Sequence, residues 1–342
     1  MKINLTEKSC SPDLWPLAST YSVGDIRLGL FTLLEKWKRF SSLEVTINQE
    51  EKSEDTLLVP VQTLPLRNKL LEVQKADISL DEITLPFRYA WDMLQLLSIA
   101  IKDDFSYLQT VSNSAVIPSG VLVIESQNVY IDATAKLYPC IINAENGPVI
   151  IGKNATVMEG SLIRGPFVLG EGSVVKMGTQ IYGPVTIGKN CVVGGEIKNS
   201  LISDYSNKAH DGYLGDSVIG RWCNLGAGTT CSNVKNTAGD IYYKHKSHTI
   251  PVAVGKKAGL VMGDYSRSAI QTKFNTGSIV GVCCNVIHSA FPPTYIGDFR
   301  WQEDSYEFDK AILHIEQWKN FKQERITEQE RTKLLELYKK II

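Results

Sequence analysis

Between Ile151 and Val193 the chain sets an aliphatic residue at every sixth position: Ile151, Val157, Ile163, Leu169, Val175, Ile181, Ile187 and Val193. The position that follows is often glycine, as at Gly152, Gly170, Gly188 and Gly194. A period of six fits neither the 3.6 of a helix nor the simple alternation of a half-buried strand. It fits a short strand and a turn, repeated, which is the hexapeptide pattern of a parallel β-helix. One aliphatic side chain per hexad then points into a narrow prism, and no coil buries its face without its neighbours. A β-sandwich needs turns at less regular spacing, about 8–12 residues apart. The pattern therefore predicts a mainly β chain built on a solenoid.

The pattern changes on both sides of this stretch, which divides the chain into three parts. Residues 1–112 read as a small α+β domain, 119–292 as the solenoid and 293–342 as a helical tail. In the first part, Leu28, Phe31, Leu34 and Trp37 recur at helical spacing within Ser22–Phe40, with Asp25 as the expected N-terminal cap. Leu43–Ile47 and Leu57–Val61 read as strands around the acidic stretch Asn48–Asp55. A second helix is expected after Pro86, running to Tyr107 with Trp91, Leu94, Leu97 and Ile101 on one face. Gln109–Ser119 is the expected linker. Hexads begin weakly at Val129, Ile131 and Leu137, falter over Gly194–Gly215 and return at Ile219 and Leu225. Ser232–Thr249, rich in Lys, His and Tyr, must leave the prism, and long excursions of this kind commonly carry function. The solenoid is expected to resume at Ile250 and to stop at Pro292 and Pro293. In the tail, Ala311, Ile312, Ile315, Trp318 and Phe321, then Leu334, Leu335, Leu337 and Ile341, predict helices that cap the solenoid or meet a neighbouring subunit.

Composition adds exclusions. The 342 residues are 43% hydrophobic and 21% charged, with a net charge of −1, so no global field attracts nucleic acid or an anionic membrane. The longest apolar runs are too short to span a bilayer, and the N-terminal segment lacks the apolar core of a signal peptide. Seven cysteines without CxxC or zinc-finger spacing predict reduced thiols and a cytoplasmic chain. Cys191, Cys223 and Cys283 are expected as small core residues.

The candidate chemistry gathers where the hexads falter. Glu196, Lys198, His210, Tyr213, Asn224 and Asn233 follow one another over about two coils. Residues one coil apart stack, so polar groups on successive coils can line one groove. Histidine is the natural base near neutral pH, and a carboxylate such as Glu196 can hold its tautomer. Lys198 offers a charge for phosphate and Tyr213 an orienting hydroxyl. The run Leu225-Gly226-Ala227-Gly228-Thr229 is expected to present backbone N–H groups to an oxyanion or an amide.

These residues carry a resemblance. Lys208-Ala209-His210-Asp211-Gly212-Tyr213-Leu214-Gly215-Asp216 resembles the KAxHxxYLGD segment of the GlmU family, bifunctional N-acetylglucosamine-1-phosphate uridylyltransferases and glucosamine-1-phosphate acetyltransferases. Asn224–Asn233 resembles the family's NxGAGTxxxN, and Glu196-Ile197-Lys198-Asn199 its ExKK, at the family's mutual spacing. Thr20–Gly29 is similar to the TRPxxDIRxG segment of compact GlmU-like proteins, with Tyr21 and Ser22 replacing Arg and Pro. The resemblance implies a left-handed β-helix that assembles as a homotrimer and transfers an acetyl group from acetyl-CoA to an amino sugar or amino-sugar 1-phosphate. By position, His210 would be the base and Glu196 its orienter. Lys198, Tyr213 and Asn224 would hold the sugar phosphate, and Ala227 and Asn233 the acetyl-CoA.

The departures shape the alternatives. Where the family carries a phosphate-binding Arg, this chain reads Thr179-Gln180-Ile181-Tyr182-Gly183, which leaves the phosphate to another basic residue. No Gly-rich nucleotide loop opens the chain, so the N-terminal domain resembles a shrunken nucleotidyltransferase; Mg2+ would matter only if that domain were active. A bifunctional nucleotidyltransferase/acetyltransferase and a non-catalytic trimeric scaffold are the competing readings. A γ-class carbonic anhydrase shares the solenoid but needs three His ligands across coils, and here His245 and His248 lie in the excursion. No metal is expected.

Overall fold

The computed structural model describes residues 2–49, 56–71 and 79–341. Its main body is a parallel β-helix whose three faces are sheets of nine, ten and eight strands. Each coil visits them in turn, as in Val185–Ile187, Val192–Val193 and Glu196–Lys198. All eight hexad residues from Ile151 to Val193 lie inside the prism, at most 2% exposed. Each contributes roughly 1.5–3 kcal/mol relative to exposure. Through the polar stretch the inward positions persist at Ile197, Ile202, Lys208, Leu214 and Ile219, with shortened corners between them. The prism is unbroken there; only its corners and outward side chains change.

The nine-stranded sheet is a docked face. Its outward residues Ile150, Val168, Leu201, Val218, Val261 and Ile279 belong to one continuous core with Trp91, Leu97 and the other apolar residues of the N-terminal domain. The ten-stranded sheet is a tail face, crossed at one end by the C-terminal helices. The eight-stranded sheet is an open face. Leu122, Ile141 and Leu162 stand in register on it, and all three are exposed.

In the N-terminal domain a strand at Lys2–Thr6 lies between the expected ones, Glu44–Ile47 and Thr56–Pro60, all parallel. Residues 50–55 of the acidic stretch lie outside the described residues. Two helix boundaries differ from the sequence expectation. Asp25 does not cap a helix: it ends a short 3-10 turn, Gly29 adopts φ +87°, and the helix runs Leu33–Phe40 from a Thr32/Glu35 capping box. Only Gly fits at position 29, because a Cβ there would meet the Asp104 carboxylate at 2.3 Å. The second helix spans Met93–Val111, since a strand at Thr84–Pro86 pairs with Thr63–Pro65. The linker accordingly starts at Ser112, not Gln109.

The excursion carries an antiparallel hairpin, Ile241–Tyr243 with Val252–Gly255. The solenoid resumes at Leu260–Met262, later than Ile250. Tyr295–Ile296 and Arg300–Trp301 still add to the docked and tail faces beyond Pro292 and Pro293. In the tail, Ala311, Ile312, Ile315 and Leu334 are buried against Trp222, Tyr265 and Phe299, while Phe321 is exposed. All seven cysteines are free thiols, and Cys191, Cys223 and Cys283 are buried. Among the described residues no helix is long and apolar enough to cross a membrane.

Candidate functional site

Strand alternation sets the open face. Ile181, Ile197 and Leu214 point inward, so Gln180, Tyr182, Glu196, Lys198 and Tyr213 point out. Glu196 stands between Gln180 and Tyr213 in register, and Lys198 between Tyr182 and Gly215. The Tyr182 hydroxyl donates to Glu196 Oε1 at 2.5 Å. That bond, with burial and the Glu196 charge, pushes the Tyr182 phenol up to about 12. Burial also raises Tyr213, helped by Tyr182, Asp216 and Glu196. Both phenols thus stay protonated and available as donors near neutral pH.

His210 sits where the chain turns from the tail face to the open face. Its corner is built by an unusual core residue: Lys208 takes the inward position opposite Val193 and is 2% exposed. Its Nζ donates to the Gly194 carbonyl at 2.9 Å and to the His210 carbonyl. Burial lowers this ammonium to about 8. The lysine ties two successive corners together from inside the prism. Gly212 closes the turn at φ +122°, where a Cβ would strike the Thr229 carbonyl at 2.1 Å. The His210 ring itself is exposed and makes no hydrogen bond among the described residues, with Glu196 or any other group.

A groove of about 410 Å³ runs across these corners, lined by His210, Asp211, Ala227, Gly228, Gly194 and Lys176 among others. His210 and Ala227 therefore share one cavity, and Glu196, Lys198 and Tyr213 lie on the adjoining open face. The remaining two candidates lie elsewhere. Asn224 projects on the tail face, where Asn207 donates to its Oδ1 at 3.4 Å and Lys322 of the tail reaches Asn207 at 3.0 Å. Asn233 lies beyond the far edge of the open face, buried, with its amide donating to Asp216. The glycine turn does not present a row of free amides. Gly226, Gly228 and Thr229 donate to the carbonyls of Ser268, Asp211 and Gly226, because stacked coils use those N–H groups among themselves.

Two residues of this site have sequence signals that spacing alone did not expose. Tyr182 flanks the inward Ile181 one coil before Lys198, and Lys208 falls on an inward position where an aliphatic is due. A larger cavity, about 520 Å³, lies where the N-terminal domain meets the solenoid and the tail. Three of its cations are already engaged. Arg27 Nε and Nη2 grip Asp204 at 2.7 and 3.1 Å, Arg221 donates to the Asp25 carbonyl, and Lys319 pairs with Glu330 at 2.7 Å. The Asp25-Ile26-Arg27 segment thus braces the N-terminal domain on the prism.

No family model matches the chain. Curated relatives do, and they carry the name Bifunctional protein GlmU. The protein of Methanococcus maripaludis strain C5 is 30% identical over 125 residues, 36% of this chain and 29% of its own length. That of Methanocaldococcus jannaschii is 34% identical over 89 residues, 26% and 21% of the two chains. That of Methanococcus maripaludis strain S2 is 33% identical over 125 residues, 36% and 29%. The chain spans less than a third of the length of these relatives. Over 26–36% of its length this chain, built as a parallel β-helix, is similar to proteins named GlmU.

Proposed function

We propose that the chain is an acetyl-CoA-dependent N-acyltransferase for an amino sugar or amino-sugar 1-phosphate, with His210 as general base. The observation that carries the reading is the free His210 ring in a groove shared with the Ala227 turn, beside an open face bearing Glu196, Lys198 and Tyr213. An ammonium has no lone pair, so the imidazole accepts its proton before the nitrogen attacks the thioester carbonyl. The new C–N bond forms as the C–S bond breaks; the imidazolium gives its proton to the leaving thiolate and the attacking nitrogen sheds its second proton to solvent, leaving a neutral amide and a thiol. The Glu196 carboxylate, held by Tyr182, favours a cation beside it and so supports binding of the amine before deprotonation. Lys198 supplies charge to a phosphate in place of the arginine absent near Gln180.

A homotrimer completes this reading. The exposed ladder of Leu122, Ile141 and Leu162 on the open face supports burial against a second copy, since contiguous apolar surface of this kind marks contacts. The groove would then lie between subunits.

Thiol release from acetyl-CoA, measured against a panel of amino sugars and their 1-phosphates, tests the proposal. On the best acceptor, His210→Ala should lower kcat by roughly 10²–10⁴-fold while acetyl-CoA still binds. Lys198→Ala should instead raise KM for the phosphorylated acceptor. Near wild-type kcat in His210→Ala would sink the assignment.

A further inference from the structure

Far from the groove, the excursion returns to the N-terminal domain and brings two histidines to one aspartate. We propose that Asp13, His245 and His248 form a binding site for a divalent transition-metal ion of the zinc class, which clips the excursion onto the N-terminal domain. Asp13 Oδ1, one nitrogen of His245 and one of His248 lie within 4.8 Å of one another, the one such convergence of three groups among the described residues. Asp13 Oδ1 is 4.0 Å from His245 Nδ1 and 3.1 Å from His248 Nε2.

The proton arrangement is what calls for a cation. His245 Nε2 lies 3.0 Å from the Trp15 carbonyl, which can only accept, so Nε2 carries the proton. The Ser247 N–H donates to Nδ1 at 3.2 Å, which requires a lone pair there. Both ends of the ring fix the same tautomer. The Nδ1 lone pair and the Asp13 carboxylate therefore face each other with no proton between them, in a buried setting. A metal ion resolves that juxtaposition, in exchange for the long Ser247 contact.

The donor set and its surroundings fit. Two imidazoles and a carboxylate are a three-ligand zinc set that leaves a fourth position open. Zinc–ligand bonds near 2.1 Å place tetrahedral donors about 3.4 Å apart, so the two Asp13 separations need to change by about half an ångström and the histidine nitrogens, within 4.8 Å of each other, need to close by up to about 1.4 Å. Metal-ligating histidines typically donate their other N–H to a carbonyl or carboxylate, as His245 does to Trp15. Arg88 Nε holds the second Asp13 oxygen at 2.6 Å, which orients the carboxylate. The rings of Trp15, Tyr89 and Trp91 surround His245 at centroid distances of 5.3, 6.1 and 6.1 Å. His248 is the more open ligand, with Tyr89 Oη 3.2 Å from its Nε2.

The test uses the full chain stripped with a chelator and titrated with zinc chloride by calorimetry. One ion per chain should bind, and zinc should raise the melting temperature. His248→Ala and Asp13→Asn should each weaken binding at least tenfold, whereas His288→Ala, outside the cluster, should bind as wild type. His248→Gln separates the two roles of that side chain: its amide can still donate to Asp13, yet it is a poor metal ligand. If it melts like wild type in chelator but gains nothing from zinc, the cluster is a metal site. Absence of saturable 1:1 uptake by the wild-type chain, or uptake that none of the cluster variants changes, would overturn the proposal.

Discussion

The docked and open faces of the prism share one set of coils and one aliphatic interior, yet their outward ladders differ completely. On the docked face Ile150, Val168, Leu201, Val218, Val261 and Ile279 are all at 0% exposure. On the open face Leu122, Ile141 and Leu162 are 57, 40 and 46% exposed, and the ladder continues as Gln180, Glu196 and Tyr213. Ile150 and Val168 on the one face and Leu122, Ile141 and Leu162 on the other are aliphatic alike. Only one face has a cover within its own chain. In a solenoid the inward positions build the scaffold, whereas the outward ones record what the scaffold meets: a domain, a second copy or a solute. On the proposed reading, the change from aliphatic to polar along the open face is where subunit contact would give way to the site.

Charge placed on each face should break the comparison most directly. Val168→Asp buries a carboxylate without a partner between prism and N-terminal domain, and should cost more than about 4 kcal/mol of stability. Denaturant midpoints measure this loss. Leu162→Asp, on the open face, should leave the folded chain intact but weaken self-association at least about a hundredfold. Light scattering at micromolar concentration should then find a trimer for the wild type and a monomer for the variant. A Val168→Asp chain as stable as wild type, or a Leu162→Asp chain that still assembles, would mean the faces have been assigned wrongly.

Sequence alone cannot tell Val168 from Leu162. Each flanks an inward aliphatic in the same hexad pattern, and their difference comes from chain far away that covers one and not the other. The prism itself was legible because its period is local and each coil repeats the signal. The core of the site was legible for the same reason: one-coil spacing put Glu196, Lys198 and Tyr213 on one face, with His210 at its corner. Asn224 shows the limit of that argument. A coil has three faces, and its partners Asn207 and Arg267 place it on the tail face. The capping signal failed at Asp25 because Gly29 and the Arg27–Thr32 bridge interrupt the helical spacing that Leu28 and Phe31 suggested. Of the Asp13 cluster only the two histidines of the excursion stood out, since Asp13 is far from them in sequence and meets them only through the docking of the N-terminal domain.

The smallest effect sharpens the comparison from inside the prism, at the one inward position that is charged. Lys208 has its ammonium buried against two carbonyls, and burial lowers it from 10.5 to about 8. Below about pH 8 the lysine is protonated in both folded and unfolded chains, so the penalty of burying its charge is constant. As pH rises from about 8 toward 10.5, the folded chain releases the proton first and the unfolded chain still holds it. The unfolded state then binds more protons, so stability rises with pH, by at most about 1.4 kcal/mol per unit. Lys208→Met keeps the length of the side chain and removes the titration. The stability of wild type minus that of the variant should be flat from pH 6 to 7.5 and climb from 8 to 10, read from denaturant unfolding at each pH. The variant also loses the tether between the Gly194 and His210 corners, so under the proposed function its acetyl-transfer rate should fall, but by less than that of His210→Ala. Parallel stability curves across pH 8–10 would show that the ammonium is solvated in the folded chain and that the corner beneath His210 is held by its glycines alone.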